Sequence, residues 1–104
     1  MIAYKGFGKN LVCLGYQFKR YGINETTEAN CRQNGFHCAE NPLDCLVHYP
    51  NWRNSRYFVV KAFGDLDEDD QDTKISCTKI ELIEELDFPT LLLRGAAYMA
   101  IHPD

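Results

Sequence analysis

The sequence predicts an α+β fold: a small twisted, mostly antiparallel sheet with two helices packed on it. Three observations carry this. Arg56 to Phe63 is rich in aromatic and β-branched residues and is apolar on both faces, as a central strand is. Lys74 to Ile83 follows across a short polar connection and reads as its antiparallel neighbour. Helix signals stand at Asn41 and at Asp87 or Thr90, each close to a proline and an apolar run.

Taken in order, Met1 to Lys5 begins as a strand that Gly6 and Gly8 break into a turn. Leu11 to Phe18 is a second strand, with Leu14, Tyr16 and Phe18 alternating against Gly15 and Gln17. Lys19 to Asn30 is polar and reads as an exposed connection, which makes the sequon Asn24-Glu25-Thr26 a chance match. Asn34-Gly35 marks a tight turn, and Phe36 to Ala39 a short strand. In the first helix Asn41 caps, Pro42 occupies a position where a missing N–H costs nothing, Asp44 complements the N-terminal dipole, and Pro50 stops the helix at Tyr49. Leu43, Leu46 and Val47 form the expected docking face, with Asp44 and His48 on the polar back. The apolar set of Lys74 to Ile83 changes phase between Cys77 and Ile80, so a bulge is expected near Thr78 or Lys79. The last helix is expected to turn Leu92, Ala96 and Met99 inward, with Gly95 approaching the sheet.

The 104 residues form a single domain, 1–104, with an ordinary 45% apolar and 25% charged composition. A net charge of −4 argues against a sequence-independent hold on nucleic acid, which needs a basic face. No apolar run reaches the roughly 20 residues of a membrane span, and MIAYKGFGKN does not read as a signal peptide. Five cysteines without scaffold spacing point to reduced thiols in a cytoplasm.

Cys31, His37, Cys38, Cys45 and His48 invite a zinc site, but strand alternation points His37 and Cys38 to opposite faces and no CxxC pair is present. No metal and no cofactor are expected. A cysteine nucleophile paired with His37 or His48 lacks an orienting third group. The segment DLDEDDQD lacks the glycine and closing glutamate of a calcium loop and reads as a solvated connection or as an acidic patch for a basic partner.

Tyr4-Lys5-Gly6-Phe7, Cys13 with Gly15-Tyr16-Gln17-Phe18, Cys31 with Gly35-Phe36-His37, Glu40-Asn41-Pro42-Leu43-Asp44 and Asp72-Thr73-Lys74-Ile75 together resemble an uncharacterised family of small domains from bacteria, phages and prophages. The resemblance brings no established activity and implies a compact accessory protein in a bacterial cytoplasm, often from a mobile element. The first function hypothesis is a non-enzymatic protein that binds a bacterial partner, as an inhibitor of a host or anti-phage system, through the acidic segment and the polar back of the first helix. Tyr4-Lys5-Gly6, then Phe36-His37-Cys38 leading into Asn41 to Tyr49, also resemble the order of elements in the ADP-ribosyltransferase scaffold. That alternative implies an enzyme or inactive remnant binding a nucleotide between Lys5 and His37, with Glu81 or Glu84 as the glutamate. The binding protein is the preferred reading, because the transferase signature residues are absent. The candidate binding residues are Lys5, His37, Asn41, Asp44 and His48, with Asp67, Asp69 and Asp70 in the acidic segment. A site is expected around His37 and the helix start rather than in that segment, since a helix N-terminus receives anions and His changes charge near neutral pH.

Overall fold

The computed structural model describes residues 1–27, 35–68 and 73–102. Strands β1 (Ile2–Gly8), β2 (Val12–Cys13), β3 (Tyr16–Gln17), β4 (Ile23–Glu25), β5 (Phe36–Ala39), β6 (Ser55–Glu68) and β7 (Lys74–Leu86) are joined by two helices, α1 (Cys45–His48) and α2 (Phe88–Ile101). Short 3-10 turns cover Pro42–Asp44 and Trp52–Asn54. The fold is α+β, as the alternation and capping signals predict.

All pairings are antiparallel, and the main sheet runs β4-β7-β5-β1-β6. Because β7 also pairs with β6, the strands β1, β5, β7 and β6 close into a ring. Closure removes the open edges that a flat sheet of this size would show. Inside lie Ala3, Phe7, Phe36, Cys38, Phe58, Val60, Ala62, Ile75 and Cys77, joined by Phe18, whose ring meets Phe7 at 5.0 Å between centroids. Outside, Tyr57, Val59 and Leu86 meet Cys45 and Leu91 from the two helices. β6 is therefore apolar on both faces because it separates two cores.

Several expectations are corrected. Leu11 to Phe18 is a tight hairpin of two short strands, Val12 pairing Gln17 and Cys13 pairing Tyr16. Leu14 (φ 51°) and Gly15 (φ 81°) both take left-handed backbone, and two such residues in succession reverse the chain. Lys19 to Asn30 contains β4, which pairs Asn24 with Ile80. Asn24 is wholly buried: its Oδ1 accepts the Lys19 N–H at 2.8 Å, and its Nδ2 donates to the carbonyls of Lys19 and Ile80 at 3.3 Å each. The expected bulge lies opposite Thr78, but the extra residue is on β6, where Gly64 and Asp65 stand between the pairs Phe63–Lys79 and Leu66–Cys77. A second irregularity accommodates Ile83 between Val59–Glu84 and Val60–Leu82.

The first helix is docked by Pro42 and Cys45, with Leu46 packed against the same core and Leu43 against α2 as expected, while Val47 is 71% exposed. The 3-10 start winds more tightly than an α-helix, so positions after it do not keep the face that 100° per residue assigns. In α2 the inward residues are Leu91 and Gly95, with Leu92 and Met99 exposed. This helix is apolar on nearly every side, so periodicity alone selects no face; contact does. A Cβ on Gly95 would lie 2.4 Å from Leu43 Cγ, and the glycine lets α2 close onto the 3-10 turn rather than onto the sheet. Asp87 caps α2, its Oδ1 accepting the Thr90 N–H at 2.9 Å. Trp52 stacks on Phe88 at 5.0 Å and fixes the start of the same helix.

Candidate functional site

Lys5 projects from β1 between Ala3 and Phe7 and is only 6% exposed. Its ammonium donates to the His37 carbonyl at 2.5 Å, lies 3.6 Å from Cys13 Sγ and is 5.4 Å from the ring centroids of Phe7 and Phe18. β1 meets β5 at the single pair Tyr4–Ala39, so the lysine satisfies a carbonyl that the neighbouring strand leaves without a ladder partner. Among the described residues no carboxylate pairs with it.

His37 occupies the opposite face of β5 from Cys38, as alternation requires. Its Nδ1 is buried without a hydrogen-bond partner among the described residues. Burial first, then the charges of Lys5, Lys74 and His48, hold its pKa below the ordinary value of 6.5. The imidazole is therefore neutral at neutral pH.

Asn41 performs the expected cap, its Oδ1 accepting the Leu43 N–H at 3.0 Å. Asp44 accepts the hydroxyl of Thr73 and so ties the 3-10 turn to the approach to β7. His48 is exposed in the last turn of α1. Asp67 is exposed on β6, and Asp69 and Asp70 lie outside the described residues. Register brings two distant candidates together: His37 pairs with Ser76, and Ser76 with Asp67, so all three share one row across β5, β7 and β6. His37 and the start of the acidic segment thus share a row of the sheet, with Ser76 wholly buried between them.

The thiols behave as core residues. Cys38, Cys45 and Cys77 are buried and free, and Cys13 is partly exposed and free. Burial pushes the Cys45 thiol up to about 12. A hydrogen bond with Cys77 and then burial raise Cys38 well above the ordinary thiol value. Among the described residues no three His, Cys, Asp or Glu side chains are grouped to hold a metal ion; Cys31 lies outside them.

Among the described residues no glutamate joins Lys5 and His37. Glu81 is placed by register between Ile23 and Lys61, and Glu84 is exposed with an oxygen 3.9 Å from Arg94. A concavity among the described residues lies elsewhere, on the outer face where α2 crosses the 3-10 turn. Tyr4, Pro42, Arg94, Ala97, Tyr98 and Ile101 line a depression of about 400 Å³. Tyr98 is stacked on His102 at 4.2 Å, and its phenol is raised by burial first and then by the charges of Glu40 and Asp44. Ile101 of the lining is exposed, and α2 also exposes Leu92, Leu93 and Met99 elsewhere on its surface. This site was missed in the sequence, although the run of apolar residues on all sides of α2 signals it: one helix cannot turn every face inward.

A family profile described as a domain of unknown function, DUF7666, matches residues 1–94. The chain belongs to the DUF7666 family. Its match takes in the closed sheet, the capped turn and the first half of α2, and it ends at Arg94, so the DUF7666 region carries Tyr4, Pro42 and Arg94 of the depression while Ala97, Tyr98 and Ile101 lie beyond it. No curated protein and no solved structure matches the chain. No helix is long and apolar enough to cross a membrane, among the described residues.

Proposed function

We propose that this protein is a non-enzymatic binding module that takes an apolar segment of a bacterial protein, flanked by Lys or Arg, into the depression beside α2. The observation that carries the reading is a hollow lined by Tyr4, Pro42, Ala97 and Ile101, the last 75% exposed, with Tyr98 in its wall feeling the charges of Glu40 and Asp44. Exposed apolar patches with polar rims are characteristic of protein contact surfaces. The charges of Glu40 and Asp44 felt at Tyr98 favour cationic flanks, the lining Arg94 being itself turned to Glu84 at 3.9 Å, and such charge supplies direction and association rate more than affinity. Pro42 and Asp44 link the hollow to the helix start at which the sequence expects a site. The His37–Asp67 row of the sheet is separate.

A phage or prophage setting, with a host or anti-phage component as the partner, remains our proposal for the biological role.

The test compares Ile101→Asp with a variant carrying Asn at 67, 69 and 70, both verified as folded by circular dichroism, for retention of proteins from a bacterial lysate. Loss of a specific partner in Ile101→Asp, with retention in the acidic-segment variant, supports the reading. The reverse pattern overturns it. A concentration-dependent dimer that Ile101→Asp abolishes would assign the face to a second copy of the chain and also overturn it.

A further inference from the structure

We propose that Lys5 and Cys13 are an oxidation-driven cross-linking site, joined by a direct Nζ–Sγ sulfenamide bond when the protein meets peroxide. Three observations independent of the α2 surface support it. The two atoms are already 3.6 Å apart. The Lys5 amine is held in place by the His37 carbonyl at 2.5 Å and walled by Phe7 and Phe18. Cys13 is the partly exposed thiol among the described cysteines, whereas Cys38, Cys45 and Cys77 are buried, so a small oxidant reaches Cys13 first. The ring of Tyr49 packs over Gly6, the residue after Lys5.

The chemistry balances with hydrogen peroxide as the oxidant. The Cys13 sulfur attacks one peroxide oxygen, the O–O bond breaks, and water leaves a sulfenic acid, with sulfur oxidised by two electrons. A sulfenic acid condenses with a nearby nitrogen when thiols are kept away. Lys5 releases one ammonium proton to solvent, its lone pair forms the N–S bond, and the S–O bond breaks. The departing hydroxide takes a second proton from nitrogen and leaves as water. The product is lighter than the reduced chain by two hydrogen atoms and is returned to amine and thiol by a dithiol reductant. β1 and β2 are already joined by a short turn, so the bond locks Lys5 in its observed place without moving a strand.

The experiment treats the full chain with hydrogen peroxide, blocks free thiols, digests with trypsin and reads the peptides by mass spectrometry. Trypsin does not cleave after a lysine whose Nζ is bonded, so residues 1–9 should appear joined to residues 10–19, two hydrogens lighter than their sum and separable by dithiothreitol. Cys13→Ser should lose this species, and Cys38→Ser should keep it. Lys5→Arg should leave Cys13 as an uncaptured oxygen adduct; the wild-type and Cys13→Ser maps decide the matter should that variant fail to fold. Cleavage after Lys5 with oxygen on Cys13, a disulfide from Cys13 to another cysteine, or a joined pair retaining one oxygen between nitrogen and sulfur would each overturn the proposed bond.

Discussion

The ammonium of Lys5 lies 2.5 Å from the carbonyl oxygen of His37, on the next strand but thirty-two positions along the chain. This contact substitutes for a backbone hydrogen bond at the point where β1 and β5 part. A buried ammonium costs several kcal/mol to desolvate, and the contacts to a carbonyl, a thiol and two ring faces offset part of that. Truncation removes the donor, leaves the carbonyl unpaired and opens a cavity. Lys5→Ala should therefore lower stability by about 2–4 kcal/mol in urea unfolding. An unchanged midpoint would show that the side chain is not holding the strands.

His37 sets a pH dependence whose sign follows from its lowered pKa. The unfolded chain binds a proton near pH 6.5 that the folded chain resists, so stability is fully present above that value and falls as the pH drops toward the folded pKa. Thermal unfolding should occur at a lower temperature at about pH 5.5 than at about pH 7.5, and His37→Gln should flatten the difference. The lowered carboxyls of Glu85 and Asp87 act in the more acidic carboxylate range and do not imitate it. A difference that persists in the variant would place the proton elsewhere.

Gly64 has φ +78°, and a Cβ there would lie 2.3 Å from Thr78 Oγ1, the atom that accepts the Asp65 N–H at 2.8 Å. Gly64→Ala should cost on the order of 1–3 kcal/mol through backbone strain and overlap. In the double variant with Thr78→Ala the overlap is gone but the positive φ and the lost hydrogen bond remain, so stability should recover only in part. Full recovery would mean that backbone conformation contributes nothing.

Most of the architecture was legible because β6 and β7 announce themselves by composition and because Asn41 and Asp87 cap where their side chains predict. Closure of the sheet was not, since it depends on β7 pairing on both edges, a property of register rather than of any segment. Asn24 was hidden for a related reason: a polar residue in a polar stretch carries no sign that three backbone groups will satisfy it in the interior. Leu14 misled the alternation count by adopting a left-handed turn that leucine rarely takes. Among the candidate residues, Asn41 and Asp44 are explained by their caps and ties, and His37 by its row with Asp67. The face of α2 escaped because a helix apolar on every side has no preferred phase until Gly95 meets Leu43.

The central claim, that the hollow beside α2 receives a cation-flanked apolar segment, is tested most directly by site-specific photo-cross-linking in a bacterial lysate. A photoreactive residue replaces Ala97 on the floor of the hollow in one protein and Asp67 on the polar row in another. Capture at position 97, with the cross-linked partner peptide read by mass spectrometry as apolar residues bracketed by Lys or Arg, and yield falling as salt is raised, is the predicted result. Capture at position 67 alone, or at position 97 of a peptide with acidic flanks or of this chain itself, would contradict the account.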